Sequence, residues 1–115
     1  MDRDKPDAIL MVADALTALN RKRVFDYAVA HRLPAIYESD AFARDGGLMS
    51  YGADLRESLT RAAYMVDRIF KGTSPGDIPF ETPTRYLFVL NLKTARAMGL
   101  EPPMTLLGLA DDVIE

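Results

Sequence analysis

A short unbroken apolar run, Ala8-Ile9-Leu10-Met11-Val12, stands behind Pro6 and Asp7, and such a run suits a strand covered on both faces in a parallel sheet. Residues 13–19 read as a loop. Asn20 is then a good N-cap for a helix over residues 21–32, with Val24, Phe25, Ala28 and Val29 on its inner face. Pro34 stops that helix and opens a second strand, Ala35-Ile36-Tyr37. Strand, helix and strand in this order predict a right-handed crossover unit.

From Glu38 to Asp45 the chain turns polar and carries no predicted element. Gly46-Gly47-Leu48-Met49-Ser50-Tyr51-Gly52 then forms a brief apolar stretch bracketed by glycines, and a third strand fits there. Asp54 and Glu57 make a capping-box-like start to the clearest helix of the chain, which runs to Lys71 with Gly72 as its stop. Placed at 100° per residue, Leu55, Leu59, Ala62, Ala63, Val66, Ile69 and Phe70 fall in an arc of about 120°. The periodicity predicts a helix that packs this face and solvates the other. Pro75, Gly76, Pro79 and Pro83 break the next stretch into a surface connection. Residues 84–90 are β-branched and aromatic and read as a strand. Asn91 opens a short helix over 92–98 that Gly99 ends, and Pro102, Pro103 and Thr105 start a last helix to the C-terminus.

With 115 residues the chain has room for one core, and 49% apolar and 27% charged residues are ordinary for a folded domain. The fold class is α/β. A formal net charge of -3 makes nucleic acid an unsuitable partner, and the absence of cysteine removes disulfides, thiolate chemistry and cysteine-bound metals. The first residues, Met1-Asp2-Arg3-Asp4-Lys5-Pro6, lack the apolar stretch of a signal peptide or membrane anchor.

Four segments carry a resemblance: Arg32-Leu33-Pro34-Ala35-Ile36-Tyr37, Gly46-Gly47-Leu48-Met49-Ser50-Tyr51-Gly52, Asp67-Arg68-Ile69-Phe70-Lys71-Gly72, and the run from Asn91 to Leu100. In this order and spacing they resemble the closing third of the ABC-transporter substrate-binding family that includes tryptophan-binding members. The resemblance implies the C-terminal part of a two-lobed periplasmic-binding-protein-like fold, with a mostly parallel sheet flanked by helices. Residues 8–45 are then expected in the C-terminal lobe, 46–90 as crossing strands and the helix of the other lobe, and 91–115 as C-terminal helices. It also implies capture of a small solute such as an amino acid, an ABC permease as partner of a full-length parent, and a periplasmic location. The export signal and first lobe are expected in that longer parent. A truncated chain is expected to form homo-oligomers, dimers first, because strands lacking neighbours expose edges and apolar faces. The alternative is a truncated oligomerising protein with no solute binding of its own.

Within this frame the ligand-binding candidates are Ser50, Tyr51, Gly52 and Asp14. Ser50-Tyr51-Gly52 precedes a helix whose first-turn N–H groups favour an anion such as a carboxylate, and the same glycines equally shape a tight turn that Ser50 caps. Tyr51 offers a ring face and a hydroxyl to a ligand, or fills a hinge. Asp14 follows the first strand at the carboxyl edge of the sheet, where it meets a substrate amine or simply forms a turn. A nucleophilic role for Ser50 fails on spacing, since one residue too many separates Gly47 from it and the only histidine, His31, precedes it. His31 reads as a charge complement at its helix end, and Glu81, Asp111, Asp112 and Glu115 as solvated surface without metal-ligand spacing. No catalytic constellation, metal site or cofactor is expected, so the reading is a binding module and not an enzyme.

Overall fold

The computed structural model describes residues 6–115. Met1 to Lys5, read above as free of an export signal, lie outside the described residues. In chain order the elements are β1 (Ile9–Met11), α1 (Ala15–His31), β2 (Ala35–Tyr37), α2 (Asp40–Arg44), β3 (Met49–Ala53), α3 (Leu55–Phe70), β4 (Tyr86–Asn91), α4 (Leu92–Met98), α5 (Met104–Leu109) and β5 (Asp112–Ile114), with a 3-10 turn at Pro75–Asp77. The strands lie in the order β1-β2-β3-β4-β5. β1 with β2, β2 with β3, and β4 with β5 pair in parallel. This is the mostly parallel α/β sheet flanked by helices that the sequence predicts.

The chain divides into two compact units, one formed by residues up to Gly52 together with Leu87–Glu115, the other by Ala53–Tyr86. In the first, Phe25 and Ala28 of α1 meet Met11, Ala35, Tyr37 and Phe42, with Val24 packed against them. Three of these rings interlock edge to face: Phe25 stands 5.1 Å from Tyr37, and Phe42 stands 6.1 Å from Tyr37. Such pairs add about 0.5–1.5 kcal/mol each beyond the area they bury. A second cluster joins Leu48 to Ala95 and Met98 of α4, with Val29 against it. Buried Asn91 ties these pieces together. Its Nδ2 donates to the Ala43 carbonyl at 2.8 Å, its Oδ1 caps α4 by accepting from the Thr94 amide at 3.1 Å, and the Thr94 hydroxyl donates to the Gly46 carbonyl.

Several expectations are corrected here. α1 begins at Ala15 and not at residue 21, because Asp14 and Thr17 form a reciprocal capping box. Asn20 sits inside the helix, its side chain donating to the Leu16 carbonyl. The polar stretch after Glu38 holds a helix, α2, whose Phe42 and Ala43 are buried. The chain does not end in a helix: α5 stops at Leu109, and β5 adds a strand beside β4. The acidic end is accordingly engaged in structure, since the Asp111 carboxylate accepts the Phe88 amide at 2.8 Å and Asp112 pairs with Arg44 at 2.8 Å.

In the second unit, Asp54 caps α3 by accepting the Arg56 amide at 2.9 Å. Glu57 does not close the expected box. Its carboxylate reaches across to the segment after Pro83 and accepts the Thr84 hydroxyl and the Arg85 amide, while the Asp54 amide donates to the Arg85 carbonyl. Glu81, expected as free surface, pairs with Arg61, whose guanidinium also lies 4.8 Å from the Tyr64 ring centre. Both carboxyls are held below the ordinary glutamate range, Glu57 by the Thr84 hydroxyl and then the Arg85 amide, Glu81 by Arg61. No residue of α3 is buried among the described residues, so the apolar face that the periodicity marks is present but exposed.

Candidate functional site

Parallel register decides what meets at the carboxyl edge of β1, β2 and β3. Met11 stands opposite Tyr37, and Tyr37 opposite Ser50, which makes one row across the sheet. All three are buried, Ser50 completely. One residue further along each strand come Val12, Glu38 and Tyr51, and all three are exposed. A hollow of about 300 Å³ opens there, walled by Leu10, Val12, Ile36, Tyr37, Glu38 and Tyr51. This is the edge at which open parallel sheets take their ligands.

The rim is set by backbone as much as by side chains. Gly52 runs so close to the end of β2 that a Cβ on it would sit 1.8 Å from the Glu38 carbonyl oxygen, so only glycine allows this approach. The Glu38 carboxylate bends back to accept the Ala13 amide at 3.0 Å. Asp14 then opens α1: its carboxylate accepts the Thr17 amide at 2.7 Å, and the Thr17 hydroxyl accepts the Asp14 amide at 2.8 Å. The Thr17 amide, the Thr17 hydroxyl and the Leu16 amide together hold the Asp14 carboxyl below its ordinary range. Burial pushes the Tyr37 phenol up to about 12, so it stays neutral under the hollow.

Of the sequence candidates, Tyr51 and Gly52 lie at this hollow, Tyr51 in its wall and Gly52 at the strand approach beside it. Asp14 lies at the start of α1, with its carboxylate engaged as a cap. Ser50 lies inside the sheet, and its hydroxyl has no hydrogen-bond partner among the described residues. It caps no helix, since α3 begins with Asp54. Glu38 has no local sequence signal, because its place depends on the β2–β3 register. Among the described residues no group of three His, Asp or Glu side chains is arranged to hold a metal ion.

A mostly parallel α/β sheet with a small, largely apolar hollow at its carboxyl edge defines a ligand-binding class of architecture and not a particular chemistry. The comparisons supply the family. The model of the family described as ABC transporter substrate binding protein matches residues 2–114, and the chain belongs to that family. Among solved structures, the chain is similar to an ABC domain in complex with L-Trp from Streptococcus pneumoniae, at 27% identity and a TM-score of 0.83, over 96% of this chain and 38% of that one. It shares its fold with a conserved domain protein from Vibrio cholerae, at 21% identity and a TM-score of 0.85, over 93% of this chain and 36% of that one. It shares it also with the ligand-free, open form of a substrate binding protein with adhesive properties from Clostridium difficile, at 20% identity and a TM-score of 0.65, again over 93% and 36%. The chain thus spans little more than a third of the length of these structures. No curated protein matches it significantly.

Proposed function

We propose that this chain supplies part of the solute-binding module of an ABC importer and captures a small solute, an amino acid in the first instance, at the carboxyl edge of β1 to β3. The observation that carries this reading is the hollow itself, in which Leu10, Val12, Ile36 and Tyr51 offer apolar surface around few polar groups. Family membership and the L-Trp bound by the Streptococcus relative support the choice of an amino acid. Tyr51 contacts the solute, Gly52 admits the strand approach beside it, Asp14 anchors the adjoining helix, and Ser50 underlies the site. The work is binding and transport, not catalysis. A permease is the partner of the complete protein, and the periplasm its place of action. No helix of the described residues is long and apolar enough to cross a membrane. In that complete protein, residues 8–45 belong to one lobe, 46–90 cross to and from the other, and 91–115 return.

Thermal-shift screening and calorimetric titration against the amino acids test the reading. Saturable stabilisation by one of them is expected, amounting to about 2.7 kcal/mol at a hundred times Kd. Silence towards every amino acid and related small solute overturns it.

A specific observation favours a second property beside this one. The face of α3 formed by Leu55, Leu59, Val66, Ile69 and Phe70 is exposed, and soluble monomers rarely leave such a stripe open. We propose that the isolated chain self-associates over it, dimers first.

A further inference from the structure

The charge at the carboxyl edge narrows the ligand. Among the described residues that wall the hollow the only formal charge is the Glu38 carboxylate, and none of them is a lysine or an arginine. The neighbouring helix start does not offset this. Its first-turn amides would draw an anion, but the Asp14 carboxylate already accepts the Thr17 amide and supplies a second negative charge. Glu38 is also fixed. One of its oxygens accepts the Ala13 amide at 3.0 Å, the other makes no hydrogen bond among the described residues, and the close approach of Gly52 holds its backbone in place. Beside it stands Tyr51, a residue 56% exposed, and an aromatic π-face attracts cations. Leu10 and Val12 complete an apolar wall.

A preset carboxylate at one end of an apolar and aromatic hollow is complementary to a protonated amine carried on an apolar body. We infer that Glu38 binds the ammonium group of the solute through its second carboxylate oxygen, with Tyr51 against the adjoining carbon skeleton, and that this part of the site selects amine-bearing ligands over their amine-free analogues. The inference rests on the solute-capture reading above and names a residue and a ligand group for it. Asp14 is the competing carboxylate, and its engagement as a helix cap leaves Glu38 the better placed of the two.

Calorimetric titration of the protein and of Glu38→Gln with L-tryptophan, tryptamine and indole-3-propionate decides it. The amide keeps the hydrogen bond to Ala13 and removes only the charge, so equal melting temperatures of the two forms confirm an intact fold. The protein is expected to bind L-tryptophan and tryptamine more tightly than indole-3-propionate. A hydrogen bond to a charged group corresponds to roughly ten- to a hundredfold in affinity, and Glu38→Gln is expected to remove that preference while leaving indole-3-propionate unchanged. Binding of the two amines that Glu38→Gln does not weaken overturns the role of Glu38 and leaves solute capture standing. No saturable binding of any of the three probes, or of any other amino acid, overturns both.

Discussion

The Asp14 carboxylate and the Thr17 amide meet at 2.7 Å, and the Thr17 hydroxyl returns the bond to the Asp14 amide at 2.8 Å, which starts α1 directly behind β1. Removing the carboxylate deprives the first-turn Thr17 amide of its protein acceptor. Asp14→Ala is expected to lower the melting temperature by roughly 4–8 °C at neutral pH. The folded-state carboxyl titrates below its unfolded value, so its contribution is fully present above the ordinary aspartate range and is lost as pH falls through the folded value. The gap between the two melting curves should therefore narrow as pH falls below the ordinary aspartate range. A gap that persists undiminished in acid would show that the charge of Asp14 does not matter to the helix. If Asp14 serves only as a cap, the affinity for solute stays within about threefold; a larger loss would restore Asp14 as a ligand group.

Ser50 has the opposite sign. Its side chain is fully buried and its hydroxyl finds no partner among the described residues, and a buried hydroxyl left unsatisfied costs roughly 1–3 kcal/mol. Ser50→Ala removes that hydroxyl and leaves almost no cavity. It is expected to raise the melting temperature of the ligand-free protein by a few degrees and to leave solute affinity within about twofold. A tenfold loss of affinity with an unchanged melt would mean that the hydroxyl reaches the solute after all.

What could be read from the chain, and what could not, divides by the range of the interactions involved. β1 and β2 announce themselves as short apolar runs, and α4 carries both of its own signals, Asn91 as cap and Gly99 as a left-handed terminus. The start of α1 is not decided by residue type, because Asn20 and Asp14 are equally good capping residues. What separates them is the partner three positions on, Thr17 for Asp14 and Arg23 for Asn20. α2 is five residues long, too short for a helical period to show, and β5 is a three-residue strand whose reason for existing is β4, far away in sequence. The site followed the same division. Tyr51 and Gly52 stand out locally between glycines, whereas Glu38 joins the wall of the hollow only once β2 and β3 are in register.

In the second unit two carboxylates pin the stretch from Glu81 to Arg85 against α3: Glu57 through Thr84 and Arg85, and Glu81 through Arg61. Both titrate below the ordinary glutamate range, so both anchors hold above the unfolded value and fail as pH falls through the folded one. Amide exchange at residues 80–85 is expected to accelerate, relative to the amides of β4 and α4, once the pH drops below about 4. High salt should produce a smaller change in the same direction, because these groups are solvent-facing. Uniform acceleration across all elements would mean that acid acts on the whole fold and not on these two anchors.

The uncovered face of α3 leads to the prediction about association. Leu55 and Leu59 are each more than half exposed and Phe70 is 86% exposed, all within the arc that the helical period marks as apolar. An amphipathic helix whose apolar face stands exposed is costly in water, and pairing two such faces around a twofold axis buries both at once. Light scattering at micromolar concentration is expected to give at least twice the chain mass of 12.8 kDa. Leu59→Lys combined with Phe70→Lys places charge on the stripe without touching a buried side chain, so helical circular dichroism should persist while the mass falls to that of one chain. A wild-type chain that is monomeric and well folded under these conditions would remove the association reading. Dimers that survive the double substitution would move the contact away from α3, and the next surface to probe is the edge of β1, where Leu10 and Val12 are exposed.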